Sequence, residues 1–395
     1  MKVAVIGGGP SGMMASFVGG KNHEVTLFEK NEKLGKKLYI TGKGRCNLTN
    51  YLEASEFFPN IVRNAKFAYS AIYSFDPFMT IDLFESYGLK LKVERGNRVF
   101  PKSDKASDVI NTYEKMLKDR NVEIKLNTEV FSLEKNEDFI INKKFHFDKI
   151  VLATGGLSYR ETGSKGDGYK FAKNFSHKII ETLPALCGVE SENLLDLAGL
   201  SLKNVEVSAY EGEELIAKEF GEMIFTHKGV SGPIILSLSS KINRRKNIKL
   251  FLDLKPALDH NKLDARLLRD FENNPNKEIK NVLINLLPKD LIKYILEASK
   301  IQEDKRINQI SKEDRENLRN SLKFFDLKFK NLEDINRAIV TSGGISTKEI
   351  DPSTMESKKV KGLYFAGEII DIDALTGGFN IQLANATGYL AGLNL

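Results

Sequence analysis

The sequence has 395 residues, with 59 Lys+Arg against 53 Asp+Glu and a formal net charge of +6. At 41% apolar and 28% charged it is an ordinary globular composition, long enough for about two to three domains. No apolar run approaches the ~20 residues that span a bilayer, and Cys46 and Cys187 are too few for a disulfide framework or a four-Cys zinc site. The N-terminus shows no signal-peptide pattern. A cytoplasmic protein with no membrane partner is expected. The charge excess is too small and too dispersed to point to nucleic acid.

Val3-Ala-Val-Ile6 is the short apolar run of a strand buried on both faces. Gly7-Gly-Gly-Pro-Ser-Gly12 follows, then a helical stretch from Met13 to Val18. Gly7, Gly9 and Gly12 stand at G-x-G-x-x-G spacing. The first permits the tight turn, the second lets a pyrophosphate approach the backbone, and the third lets helix and strand pack closely. Pro10 suits the first helical turn, and with Ser11 it lies where open N–H groups and the helix dipole bind phosphate. A second strand, Glu24–Phe28, ends in Glu29, 22 residues after Gly7. An acid there accepts hydrogen bonds from an adenosine ribose and disfavours a 2′-phosphate. FAD or NAD therefore fits better than NADP.

Gly35–Asn50 is a polar loop with Gly42 and Gly44 open to close approach, and with Lys43 and Arg45 able to neutralise phosphate or a substrate carboxylate. Such a loop suits a long extended cofactor, which favours FAD. Further along, 104–120 reads as a helix, 122–131 as strand material, and 149–153 as a buried strand ending in Thr154-Gly155-Gly156. Alternating strands are expected at 205–210, 214–220 and 248–254, with a strand, turn and helix start across 223–233. Arg244-Arg245-Lys246 is a small basic cluster, expected to be a solvated turn.

From 258 the pattern becomes helical. Ile279, Val282, Leu283, Leu286 and Leu287 form an apolar stripe, repeated by Leu291, Ile292, Ile295 and Leu296 after Pro288. This segment is expected to be a helical lid. Residues 337–341 return to strand. Gly362–Glu368 is a strand ending in glycine and acid, and Gly377-Gly-Phe-Asn-Ile-Gln382 leads into a helix of small residues with Asn380 as its expected N-cap. The expected fold class is α/β. A Rossmann-like FAD-binding domain (1–185 and 343–395) carries an inserted β-rich domain (186–257 and 326–342) and a helical insert (258–325).

Five segments together resemble one bacterial family: Thr41–Asn50, Phe225–Pro233, Thr341–Ile345, Leu363–Glu368 and Gly377–Gln382. It is the NAD(P)/FAD-dependent oxidoreductase family that includes aminoacetone oxidase and BaiN-type 3-dehydro-bile-acid reductase. The resemblance spans essentially the whole chain and is most specific in Thr41–Asn50. Pro10-Ser11 departs from the small apolar residues that many members carry there. The resemblance implies FAD contacts from Gly7, Gly9, Pro10, Ser11, Gly12, Glu29 and Lys30 at the adenosine and pyrophosphate. It also implies them from Lys37, Gly42, Gly44 and Arg45 in the loop, and from a strand near Val130 whose backbone meets the adenine. Thr154 and Gly155 are expected to close over the cofactor. Gly367 and Glu368 are expected at the ribityl chain, and Gly378, Asn380 and Ile381 at the ring, where a helix N-terminus stabilises the reduced flavin.

In flavin enzymes the cofactor carries the electron chemistry and the protein supplies orientation and charge. Arg45 and Asn47 are the expected substrate-facing residues, with His227 the candidate proton donor; Lys228, Tyr159 and Arg160 are weaker ones. Cys46 has no C-x-x-C or C-x4-C partner, so a dithiol mechanism is not expected. No His/Cys/Asp cluster has metal-ligand spacing. Gly163–Gly168 is glycine-rich but follows a loop, so NAD(P)H, if used, docks transiently at the flavin. The expected activity is oxidation of an amine or amino ketone, or NAD(P)H-fed reduction of an enone-like small molecule. A flavin-dependent RNA-modifying enzyme is the alternative.

Overall fold

The N-terminal apolar run is a strand, Lys2–Ile6, at the centre of a five-stranded parallel sheet. Glu24–Phe28 and then Glu123–Lys125 lie on one side of it, Lys149–Leu152 and then Leu363–Phe365 on the other. Val3, Ala4 and Val5 are fully buried, as a parallel sheet covered on both faces requires. The chain leaves the central strand to one side and returns on the other, which makes its carboxyl end a topological switch point, the place where open α/β sheets bind ligands. The computed structural model describes residues 1–192 and 194–395. They divide into a first unit, Met1–Ala185 with Asp334–Leu395, and a second, Leu186–Glu333.

In the first unit the helix Pro10–Gly19 packs on the C-terminal helix Phe379–Leu393 through small residues. A Cβ at Gly388 would stand 2.3 Å from the carbonyl oxygen of Ser11, and one at Gly392 2.7 Å from that of Ala15. A three-stranded antiparallel sheet, Thr49–Asn50, Arg98–Pro101 and Leu91–Glu94, extends from the polar loop. The expected helix at 104–120 is Ala106–Asp119. The expected strand at 122–131 is reduced to Glu123–Lys125, so Val130 is buried in an irregular stretch rather than in a strand. The expected strand at 337–341 forms at Val340–Ile345 and pairs antiparallel with Ile179–Ala185. That pairing brings 334–342 into the first unit.

The second unit is a seven-stranded antiparallel sheet with helices, among them Pro233–Ile242, His260–Glu272, Lys289–Ser299 and Lys312–Lys323. Sheet and helices share one apolar core, which includes Val207, Leu250, Leu263, Leu291 and Leu318. The stripe at 279–287 is buried as its period demands, but regular helix covers Ile279–Leu283 alone. Pro288 constrains the residue before it and lacks an N–H for a continuing helix. The basic cluster is tied down at a turn, with Arg245 Nη1 3.2 Å from Glu211. No described helix is long and apolar enough to cross a membrane.

The helix contact yields a test. Replacing a helical glycine by alanine ordinarily gains ~1 kcal/mol, yet at Gly388 the new methyl meets the Ser11 backbone, and overpacking costs ~1–3 kcal/mol. Backbone cannot rotate away, so Gly388→Ala is expected to lower the stability of the first unit in urea denaturation. A more stable variant would show that the helices have slack.

Candidate functional site

The helix Pro10–Gly19 begins directly after the central strand, with Gly9 at its N-cap, no side chain capping it and no acid in its first turn. Gly9 is extended, and a Cβ built on it would find no atom within 4 Å, whereas one at Gly7 would collide with the Ala153 carbonyl and one at Gly12 with that of Gly7. Gly7 also has φ +111°, which a side chain resists. Two glycines thus allow strand and helix to touch, and the third leaves open space against a helix N-terminus. An open helix N-terminus of this kind has the geometry to cradle a phosphate.

Glu29 ends the second strand and is 8% exposed. Its Oε2 accepts from the Gly8 N–H at 2.8 Å, and its Oε1 accepts from the Asn31 backbone N–H and side-chain amide at 2.8 and 2.7 Å. A carboxylate offers about four acceptor sites, so Oε2 retains capacity for a hydroxyl. Lys30 is paired with Asp167 at 2.7 Å, and Asn31 Nδ2 donates to the Thr162 carbonyl at 3.1 Å. Both contacts lay the 159–167 segment along the Glu29 corner.

The polar loop is a set of tight turns across Leu38–Gly44, with Gly42, Lys43, Gly44 and Cys46 all at positive φ. Arg45 is committed within it: Nη1 lies 2.9 Å from Glu94 and 3.3 Å from Asp104, and the guanidinium stacks over Phe100. The Glu94 hydrogen bond, against a desolvation cost, holds the Arg45 pKa above its ordinary value. Asn47 differs in that its buried Oδ1 has no hydrogen-bond partner among the described residues. Burial pushes the Cys46 thiol up to about 12, so it stays a protonated, unreactive filler.

Lys37 and Glu368 meet each other. Lys37 Nζ is 2.8 Å from Glu368 Oε2 and 2.6 Å from Ser158 Oγ. Glu368 Oε1 further accepts from Ser158 Oγ at 2.9 Å and from the Thr341 N–H at 2.8 Å. Burial opposes ionisation of Glu368, but Lys37 and these donors hold its carboxyl below the usual carboxylate range. A Cβ at Gly367 would press on Ser11 Oγ at 2.4 Å, so this network lies beside the phosphate cradle.

The C-terminal helix is capped by Gly378, at φ +96°, and not by Asn380. Asn380 sits in the first turn and uses its side chain on the preceding loop, accepting from the Ala374 N–H at 2.9 Å and donating to the Ala374 carbonyl at 2.7 Å. Ile381 is half-buried behind it. Asn50 Nδ2 donates to the Gly377 carbonyl at 3.0 Å, and a Cβ at Gly378 would stand 2.4 Å from the Thr49 carbonyl oxygen, so the polar loop and this turn touch. Thr154 Oγ1 and Asn50 Oδ1 are buried without hydrogen-bond partners among the described residues. Gly155, at φ +73°, follows the strand end beside Gly7. His227 and Lys228 belong to the second unit, exposed in the turn between the strands Glu214–Thr226 and Gly229–Ser231.

These features fit an FAD. The open backbone at Gly9, the spare acceptor on Glu29 and the orphaned polar atoms of Asn47, Asn50 and Thr154 are positions where a bound group would find partners. Ser158 and Asp167 leave no local pattern in the sequence, since their partners lie more than 100 positions away. The Lys37–Glu368 pair can be tested alone. Lys37 and Glu368 are each 21% exposed, so removing one partner costs less than the ~3–5 kcal/mol of a fully buried pair, and Lys37→Met is expected to be destabilised at pH 7. The folded-state pKa of Glu368 is depressed, so its stabilisation is present above the unfolded value of about 4.3 and is lost as pH falls through the folded one. The gap between parent and variant in chemical denaturation should therefore narrow below about pH 4. A gap independent of pH would contradict the pairing.

Comparison with known proteins agrees with this architecture. The family model described as HI0933-like protein Rossmann domain matches residues 1–394. The 3-dehydro-bile acid delta(4,6)-reductase of Clostridium scindens is 31% identical, over 99% of this chain and 98% of its own. The ribosomal RNA dihydrouridine synthase of Escherichia coli is also 31% identical, over 99% of this chain and 97% of its own. A solved 3-ketosteroid-delta4-(5alpha)-dehydrogenase from Rhodococcus jostii shares the fold, with a TM-score of 0.52 at 11% identity, covering 99% of this chain and 96% of that one. The chain belongs to the HI0933-like Rossmann-domain family.

Proposed function

We propose that this protein is an FAD-dependent oxidoreductase that reduces a carbon–carbon double bond conjugated to a carbonyl. The observation that carries the cofactor is the uncapped helix N-terminus over the open backbone at Gly9, with Glu29 at the end of the adjacent strand. The pyrophosphate lies in that cradle, where helix N–H groups and dipole favour it. Glu29 takes a ribose hydroxyl on Oε2. The Gly377–Gly378 turn and the helix behind it face the N1/O2 edge of the ring, where their positive end stabilises reduced flavin. When bound, FAD supplies the hydride, and the protein's own groups orient both partners.

The names of the two relatives support the reductase reading over an amine oxidase. A double bond conjugated to a ketone and the C5=C6 bond of uracil, conjugated to its C4 carbonyl, pose the same problem: hydride goes to the carbon β to a carbonyl. A small enone is the first reading of the substrate. A uracil within RNA is the second, favoured by the equal identity to the RNA-modifying relative. NAD(P)H docks transiently as electron donor, since this reading assigns the single strand–G-x-G-x-x-G–helix unit of the sequence to FAD.

The purified protein is expected to be yellow and to release FAD on denaturation. Glu29→Ala should bind FAD tens-fold more weakly, since a charge-assisted hydrogen bond is worth roughly 1.5–3 kcal/mol. Release of FMN, or no flavin, would refute the cofactor. For the chemistry, flavin bleached by NADH or NADPH without oxygen should regain its colour on addition of a steroid 3-oxo-4-ene, but not of its saturated ketone. Recovery with a uridine-containing RNA instead would establish the second substrate reading. Recovery with oxygen alone would rule out both.

A further inference from the structure

The segment 371–376, which leads into the Gly377–Gly378 turn, contains no helix or extended strand of its own. Residues 57–64 grip it from one side. Arg63 Nε and Nη2 each lie 2.8 Å from one oxygen of Asp371, a two-point pair, and Asn64 Nδ2 donates to the Asp371 carbonyl and Oδ2. The Val62 N–H donates to the Asp373 carbonyl at 2.9 Å and the Leu375 N–H to that of Asn60 at 2.8 Å, while Ile61 bridges Ala374. The Phe57 ring packs against Phe379, the first residue of the C-terminal helix, at 5.0 Å between centroids. Asn380 holds the segment from the other side. Gly377 and Gly378, at φ +125° and +96°, have little preference of their own, so their orientation is inherited from what precedes them.

We propose that Arg63 is a positioning residue whose two-point grip on Asp371 sets the Gly377–Gly378 turn against the flavin ring, and thereby the flavin's reduction potential. This rests on the reading of that turn given under Proposed function. Asp371 is 3% exposed, and a carboxylate so buried that loses its cation moves toward water or takes up a proton. Either response shifts the chain six residues before Gly377. The Asp371 hydrogen bonds, outweighing desolvation, hold the guanidinium's pKa above its ordinary value, with Asp373 adding to the field. Lysine in place of Arg63 keeps the charge and loses the planar fork, so it separates geometry from charge.

The test equilibrates FAD-loaded protein anaerobically with a dye of fixed potential and reads the ratio of reduced to oxidised flavin. Arg63→Lys is expected to lower that ratio about three- to tenfold, where tenfold corresponds to ~30 mV for a two-electron couple, with FAD content unchanged. Gly377→Ala, which disturbs the turn itself, should lower it too, and the double variant should fall no further than the larger single effect. If Arg63→Lys does not fold, Asn64→Ala removes the secondary bonds to Asp371 and should give a smaller fall. A ratio unmoved by Arg63→Lys, or by Asn64→Ala in its place, while Gly377→Ala lowers it, would overturn the proposal and leave the turn reading intact. Multiplicative effects in the double variant would overturn it as well. If neither variant moves the ratio, the turn does not face the ring and both fail.

Discussion

Backbone contact around Ser11 is the constraint on which the first unit depends. Gly7 and Gly12 let the first helix lie on its strand, Gly388 lets the C-terminal helix lie on Ser11, and Gly367 lets the last strand's end press on the Ser11 side chain. Three segments, drawn from both ends of the chain, meet where one methyl would not fit. An insert of 148 residues, from Leu186 to Glu333, separates the two ends of this unit in sequence. The meeting point is also the carboxyl edge of the parallel sheet, so the packing that closes the unit also leaves Gly9 open to a ligand.

Charge is then arranged around that point so that little is left uncommitted. Lys37 balances Glu368, Lys30 balances Asp167, Arg63 balances Asp371, and Arg45 is shared by Glu94 and Asp104. Charges partly withdrawn from water are steadied by partners, and each of these pairs also ties a loop to a distant segment. The buried polar atoms without a hydrogen-bond partner among the described residues include side-chain oxygens of Asn47, Asn50, Thr154, Tyr169 and Ser342. A site that presents helix ends and neutral oxygens suits a cofactor carrying its own charge and chemistry.

Legibility in the sequence follows range. The strand, glycines, helix and Glu29 are consecutive, and their geometry is local, so they could be read directly. The Thr41–Asn50 loop could be read as a tight, glycine-bearing turn, but the carboxylate partners of Arg45 lie 49 and 59 positions away and leave no local pattern. Arg63 and Asp371 are 308 apart and share no pattern. Asn380 has the right type for an N-cap, yet a glycine at positive φ caps the helix two positions earlier and frees the amide for the loop. Periodicity named the buried residues of the 279–287 stripe and overstated the helix. Burial is set by the tertiary partner, and helix length by the nearby proline.

The most direct measurement is an experimental structure of the protein with FAD bound. The pyrophosphate is expected against the backbone at Gly9, with the N–H groups of the first helical turn directed at it. A ribose hydroxyl is expected on Glu29 Oε2, and the ring's N1/O2 edge at Gly377–Gly378. A pyrophosphate bound elsewhere, with Glu29 still held only by Gly8 and Asn31, would contradict this arrangement.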